Sequence, residues 1–384
     1  MPLEITRVET GRDLRRFIDL PWRIYNSTDH PQWVPPLRLA VTEALDRKKN
    51  PFYKRADREL FLAHRDGRLV GRIAAVENRA HNEFHNDRVG FWGFFEVAND
   101  QEAANALFTA AEGWLRERGF DTMRGPMNPS TNHECGLLID GFEQHPMIMT
   151  TWNPRYYAGV VEAAGFSKAK DLVAYFIPLA GPDALPLPER YRAHAERATR
   201  ERGVRFRDID LSHFAREVDI CWEIYNAAWE KNWGFIPMTR EEFVFSAKEM
   251  KQMLIPQFSY IAEVDGKPAG VAISLPDYHQ TFKAIGTGRL LPTGLFKLLA
   301  AKKRLRSGRL MILGVKSAYR SRSIFALFAY EMHRRASAYG MVGGEASWIL
   351  EDNAAMVQPM EAMGAKVYRT WRIYDRPIAR PGSA

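Results

Sequence analysis

The chain has 384 residues, 46% hydrophobic and 26% charged, with a formal net charge of +8. That length exceeds the ~250–300 residues at which a single core usually stops growing, so two domains are expected. Two cysteines, Cys135 and Cys221, exclude a disulfide framework and, by themselves, a structural zinc site. The opening MPLEITRVETGRDLRRF carries no apolar leader, and no apolar run reaches ~18 residues, so a cytoplasmic protein with free thiols is expected. The basic excess favours anionic partners, such as a phosphorylated cofactor or an anionic membrane. No zinc-finger spacing or aromatic RNA-binding motif occurs and the charge is spread along the chain, so no nucleic-acid partner is expected.

The first clear element is a hairpin. Residues 60–64 and 69–76 are apolar runs joined through Asp66-Gly67, a strong turn pair. Val89–Val97 reads as a strand. Leu107, Phe108, Ala111, Trp114 and Leu115 then mark one face of a helix, and Gly119 sits where its C-cap belongs. A strand at 122–125, a polar insertion over 125–151, a helix near 154–164 and a strand at 172–177 complete the first half. The Pro- and Gly-rich stretch PLAGPDALPLP, 178–188, reads as a linker. A basic helix from Glu189 to about Arg202 opens the second half. Strands at 260–264 and 269–275 follow, joined through Asp265-Gly266. An insertion at 276–309, a strand at 310–315, a helix bearing Ile324, Phe325, Leu327, Phe328 and Met332, and Gly340 come next. A strand at 345–350, a helix at 354–363 and a strand at 370–374 close the chain.

The two halves repeat. Gly67 and Gly266 are 199 residues apart, and so are Gly71 and Gly270. The run Glu162-Ala163-Ala164-Gly165 recurs at the same offset as Glu361-Ala362-Met363-Gly364.

A hairpin followed by strand, helix, strand, helix and strand resembles the core of the GNAT acyltransferases. The resemblance implies an α/β protein of two GNAT-like halves, each a mixed, mostly antiparallel sheet flanked by helices. The first would span 1–178 and the second 189–384, with 179–188 between them. That family places a loop of type Arg/Gln-x-x-Gly-x-Gly/Ala between its central strand and the next helix. Here Tyr319-Arg320-Ser321-Arg322-Ser323-Ile324-Phe325 stands in that place, with Arg320 at the first position and Ser323 and Phe325 where glycines are usual. Backbone N–H groups at a helix N-terminus, aided by the helix dipole, hold a diphosphate. Arg320, Ser321, Arg322, Ser323 and Ile324 are therefore the expected CoA diphosphate site. The backbone of Val315 and Lys316 is expected against the thioester, and Asn353 matches the Asn that opens the family's last helix. Met360 replaces the family's customary tyrosine, the general acid for the CoA thiolate. Tyr156, Tyr157 and Tyr368 are the substitutes the sequence offers.

The whole chain resembles the tandem GNAT-like family that includes bacterial ceramide synthase. The residues that carry this are Leu20-Pro21-Trp22, Trp33-Val34-Pro35-Pro36-Leu37, Asn50-Pro51-Phe52, Asn232-Trp233-Gly234-Phe235, and Gly125 to Asn132 with Gly136. It implies transfer of a fatty acyl group from acyl-CoA, as co-substrate, to the amine of a sphingoid base, with no metal. An N-acyltransferase for a soluble amine or amino acid, and a non-catalytic acyl-CoA-binding protein, remain alternatives.

An amine attacking a thioester needs a base, alignment and help for the oxyanion. Glu134 is the first candidate base, His133 the second, and Glu351 (beside Asp352) the next. The first half is expected to supply the base and the second the acyl donor. Finally, 290–306 mixes Leu295, Phe296, Leu298, Leu299 and Leu305 with five cations. That composition suits an anionic membrane surface, such as the inner face of the membrane, or a lip for a lipid substrate.

Overall fold

The computed structural model describes residues 2–26, 28–201, 203–230, 232–301 and 304–379. Two compact units emerge. Unit 1 holds Met1–Leu172, His279–Lys297 and Arg369–Ala384; unit 2 holds Val173–Tyr278 and Leu298–Tyr368.

In unit 1 the elements are β1 (Leu3–Arg7), α1 (Gly11–Asp19), α2 (Pro21–Ile24), α3 (Arg38–Ala44), β2 (Ala56–Arg65), β3 (Arg68–Asn78), α4 (Arg79–His85), β4 (Val89–Val97), α5 (Gln101–Glu117), β5 (Thr122–Gly125), β6 (Met127–Asn128), β7 (Glu134–Cys135), β8 (Leu137–Asp140) and α6 (Tyr156–Ala163). The chain passes along β9 (Ser167–Pro178) into unit 2. There follow α7 (Glu189–Glu201), β10 (Val204–Asp208), α8 (Phe214–Trp229), α9 (Arg240–Lys251), β11 (Ser259–Val264) and β12 (Lys267–Pro276). Next come α10 (His279–Ile285, in unit 1), α11 (Gly294–Ala301), β13 (Ser307–Val315), α12 (Ile324–Tyr339), β14 (Gly343–Leu350), α13 (Ala354–Ala362) and β15 (Val367–Pro377).

Each unit builds its sheet around the repeated hairpin. Asp66 and Asp265 both have φ of 51°, and Gly67 and Gly266 have φ of 74° and 73°. Two successive left-handed residues match the twist of a tight hairpin, which is why an Asp-Gly pair marks both turns. The second shared glycine serves packing. A Cβ on Gly71 would meet Leu107 of α5 at 2.7 Å, and one on Gly270 would meet Ile324 of α12 at 3.1 Å. In both units the following helix lies directly on the hairpin at that point.

In unit 1 the strands run β1-β2-β3-β4-β5-β15, with β8 also on β15; in unit 2 they run β10-β11-β12-β13-β14. Neighbours are antiparallel except β4 with β5 and β13 with β14. The sheets are thus mixed and mostly antiparallel, as expected.

The compact units differ from a division at 178 and 189. Residues 173–178 fall in unit 2, while 279–297 and 369–384 fall in unit 1. Burial and ion pairing hold the last segment there. Trp371, Ile373 and Tyr374 are buried, and β15 pairs with β5 and β8. Arg124 grips Asp375 at 2.8 and 2.7 Å, and Arg372 grips Asp171 at 2.8 and 3.0 Å. The insertion after β12 docks through Trp22, whose indole donates to Gly286 O at 2.9 Å, and through His279, whose Nδ1 lies 2.7 Å from Pro146 O. Of the cations expected in 290–306, Lys302 and Lys303 lie outside the described residues, as does Arg202, the expected end of the basic helix.

Candidate active site

In unit 2, β13 and β14 pair in parallel only over Ser307–Leu310 and Gly343–Ala346, then part. On its other edge β13 stays paired with β12 as far as Val315, opposite Gly270. Lys316 continues that ladder, its N–H donating to Ala269 O at 2.9 Å. Alternation along an antiparallel strand then turns the N–H groups of Leu313 and Val315 away from β12, towards the opening beside β14. The Val315 amide is thus not used by the β12 ladder. The Lys316 amide is committed to that ladder, and its Nζ lies 2.6 Å from Glu223.

The loop that follows presents a helix start. Ser317–Arg322 forms a single 3-10 segment, and Ser323 takes the left-handed conformation at φ 61° without capping α12 through its side chain. The 16-residue α12 begins at Ile324, which is fully buried and anchors the end of the loop. Arg320, Ser321 and Arg322 are exposed around it. Arg320 reaches back to Val315 O and Ala228 O at 3.4 and 3.3 Å. First-turn N–H groups, dipole and two guanidiniums then favour the same ligand, an anion. Phe325, in the second glycine's place, packs into the cluster of Tyr175, Ile349 and Met360 beneath the helix. Glu351 is exposed after β14, and Asn353 opens α13 with its carbonyl accepting from Met356 and Val357 at 2.9 Å.

The matching place in unit 1 is closed twice. Asp100 caps α5, accepting from Ala103 N at 3.0 Å, and Arg65 holds that carboxylate at 2.6 and 2.9 Å. A second anion there would meet a carboxylate. The opening between β4 and β5 is also filled. These strands pair only over Val89–Phe91 and Thr122–Arg124. Beyond that, Phe94 N–H donates to Asn128 Oδ1 at 2.6 Å, and a Cβ on Gly93 would sit 1.7 Å from Met127 O. The polar insertion of the first half thus plugs the sheet of its own unit.

His133 and Glu134 lie in that insertion. Ser130 Oγ is 2.8 Å from His133 Nδ1, and the ring packs edge-on to Phe52 at 5.7 Å. Desolvation pushes the His133 pKa down to about 4, so the ring is neutral at physiological pH. Glu134 is half-buried in β7, opposite Asn128 in β6. His133 and Glu134 belong to unit 1; Glu351, Asn353 and the diphosphate loop belong to unit 2.

The tyrosines considered as replacement acids are committed elsewhere. Tyr156 donates to Val97 O at 2.7 Å, and Tyr157 accepts from Val97 N at 2.9 Å while donating to Glu96 at 2.8 Å. Tyr368 donates to Glu345. Sequence reasoning missed Glu96 altogether. It is held by Tyr25 and Tyr157, with Arg72 at 3.5 Å, and burial raises its pKa against the pull of that guanidinium. The available signal was one carboxylate in the otherwise apolar run VGFWGFFEV of β4.

The chain is 37% identical over 383 residues to the bacterial ceramide synthase of Caulobacter vibrioides (strain NA1000 / CB15N), covering 98% of both chains. It belongs to the bacterial ceramide synthase family. Protein YghO of Escherichia coli (strain K12) is a further relative, 32% identical, with 95% of this chain and 93% of that protein covered. No family model matches the chain. Among solved structures, a tandem GNAT protein from the clavulanic acid biosynthesis pathway superposes with a TM-score of 0.58 at 13% identity, covering 99% of this chain and 100% of that one. A GCN5-related N-acetyltransferase from Anabaena variabilis ATCC 29413 gives 0.53 at 9% identity, covering 98% and 73%. These likenesses carry the fold, and the family carries the enzyme class: this chain is a GNAT-fold N-acyltransferase. Among the described residues no cluster of three His, Cys, Asp or Glu side chains could hold a metal, and no helix is long and apolar enough to cross a membrane.

Proposed function

We propose that the chain transfers a fatty acyl group from acyl-CoA to the amine of a sphingoid base. One observation carries the placing of the donor: α12 opens on an exposed, basic, side-chain-uncapped loop beside diverging strands, whereas the equivalent α5 is capped by Asp100. The CoA diphosphate rests on Arg320 to Ile324. The thioester carbonyl accepts from Val315 N–H, which strengthens as the carbonyl oxygen gains charge. The neutral amine attacks that carbon, the C–S bond breaks, and the amine loses one proton while the CoA sulfur gains one. The products are an N-acyl amine and free CoA. Glu134 is the first candidate for moving that proton, His133 the second and Glu351 the third. The acceptor's chemical class rests on the family relationship.

A lipid acceptor must be met at a membrane. Leu291, Phe296 and Leu299 are 74%, 72% and 68% exposed, on and beside α11, with Lys297 and Arg304 close in sequence. Apolar side chains among cations favour an anionic leaflet, and we assign this segment to peripheral contact with one.

Mass spectrometry of lipids from cells with and without the gene tests the reading. The expected result is loss of N-acylated long-chain amines with build-up of the free amine. Unchanged lipids with loss of a water-soluble N-acyl amine would replace the lipid acceptor by a soluble one.

A further inference from the structure

Unit 2 holds a half-open, largely apolar cavity of about 130 Å³ between its sheet and α12 and α13. Protein cores are close-packed, so an apolar-lined space of this size left beneath a helix favours an apolar guest that displaces water. Its shape is informative. Phe325, Ala329, Met332 and Ala336 line it from one face of α12. The eleven residue-to-residue steps from Phe325 to Ala336 rise roughly 16 Å. A space that follows a helix for that distance suits a linear chain better than a ring. Met360 of α13 and Met363 at its C-cap also line the cavity, and thioether side chains adapt to a flexible guest.

The wall also carries charge, but in compensated form. Arg309 and Glu345 are 3.6 Å apart and both buried; Ser347 and Tyr368 donate to Glu345, and Arg309 Nε donates to Ser347 Oγ at 2.8 Å. A pair neutralised in this way presents no net charge, which fits an uncharged tail and not a fatty-acid carboxylate. Leu313, two residues before the Val315 assigned to the thioester carbonyl, also lines the cavity.

We propose that this cavity takes the alkyl tail of a long-chain acyl-CoA donor, lying alongside α12. The proposal rests on the assignment of the donor loop to unit 2. It makes Ala329 and Ala336 the residues that set chain length. A larger side chain at Ala336 closes the far end, and one at Ala329 closes it nearer the thioester.

The test uses the purified full-length chain and the variants Ala336→Leu and Ala329→Leu, with folding checked by circular dichroism and thermal melting. Calorimetry with octanoyl-, lauroyl- and palmitoyl-CoA gives affinity without requiring turnover. Transfer assays with the same donors give kcat/KM. The unaltered chain should bind palmitoyl-CoA more tightly than octanoyl-CoA. Ala336→Leu should move the preferred donor to a shorter chain and Ala329→Leu further still, the palmitoyl-to-octanoyl ratio falling about tenfold or more, as filling a hydrophobic pocket does. If the leucine variants do not fold, Ala336→Val and Ala329→Val give the same graded comparison. Equal losses for every chain length in folded variants would overturn the proposal. So would a change in acceptor-tail preference at fixed donor, which would assign the cavity to the amine. A graded binding shift without any acyl transfer would leave the cavity assignment standing and remove the proposed reaction.

Discussion

Asn128 Oδ1 stands 2.6 Å from the backbone nitrogen of Phe94. That contact fills in unit 1 the gap between β4 and β5, whereas in unit 2 β13 and β14 part beyond Leu310 and Ala346. Asn128→Ala removes the acceptor and leaves a partly buried N–H without it. The expected loss is about 1–3 kcal/mol of unit 1 stability. Urea unfolding followed by hydrogen exchange at β4 would register it, while CoA affinity stays unchanged. A loss of CoA affinity with intact unit 1 stability would move the donor to that side.

Arg320 and Arg322 are exposed, so their replacement should spare the fold. Losing one charge-assisted contact is worth roughly 1.5–3 kcal/mol, or tenfold and more in affinity. The Arg320→Ala, Arg322→Ala double variant should therefore raise the acyl-CoA KM by at least that factor, with a normal melting temperature. An unaltered KM would exclude this loop as the diphosphate site.

The base is tested by substitution. A positioned base contributes ~10²–10⁴-fold, so Glu134→Gln should lower kcat by that order with little change in acyl-CoA binding. His133→Ala tests the neighbour. Near-normal turnover in both would leave Glu351, and Glu96 in its buried tyrosine setting, as the next residues to replace.

His133 also predicts an acid sensitivity. Burial holds its pKa at about 4, below its ordinary 6.5. His81 is pushed further, to about 3. Between pH 6.5 and 4 the unfolded chain binds protons that the folded chain refuses, so stability falls as pH drops through that window. His133→Gln should flatten the fall in unit 1 stability measured from pH 7 to 5. An unchanged slope would show that the ring is solvated.

If α11 meets an anionic leaflet, flotation with phosphatidylglycerol vesicles should carry the chain upward and added salt should weaken the effect. Phe296→Ser with Leu299→Ser should abolish most of it, since each buried side chain is worth about 1.5–3 kcal/mol. Equal flotation of the variant would confine the segment to an ordinary surface.

What was legible in the sequence was local. Asp66-Gly67 and Asp265-Gly266 signal their turns because two left-handed residues are needed there and few other pairs supply them. Val89–Val97 was recognisable from its own apolar run. The place of β15 was hidden, because Arg124 and Asp375 meet across 251 residues of chain. That the Lys316 amide is bonded to Ala269 O was equally hidden, since strand parity decides which edge an amide faces and a sequence does not state parity. The plug at Asn128 and the pairing of Arg309 with Glu345 likewise depend on neighbours brought in by the fold.

The reaction proposed is acyl transfer from CoA to a long-chain amine. Purified chain mixed with palmitoyl-CoA and sphinganine, sampled over time for free CoA thiol and for N-palmitoyl sphinganine by mass spectrometry, tests it most directly. Thiol and amide should appear in equal amounts, only when the lipid amine is present, and far more slowly in the Arg320→Ala, Arg322→Ala variant. Thiol released without amide, or amide formed only on soluble amines, would contradict it.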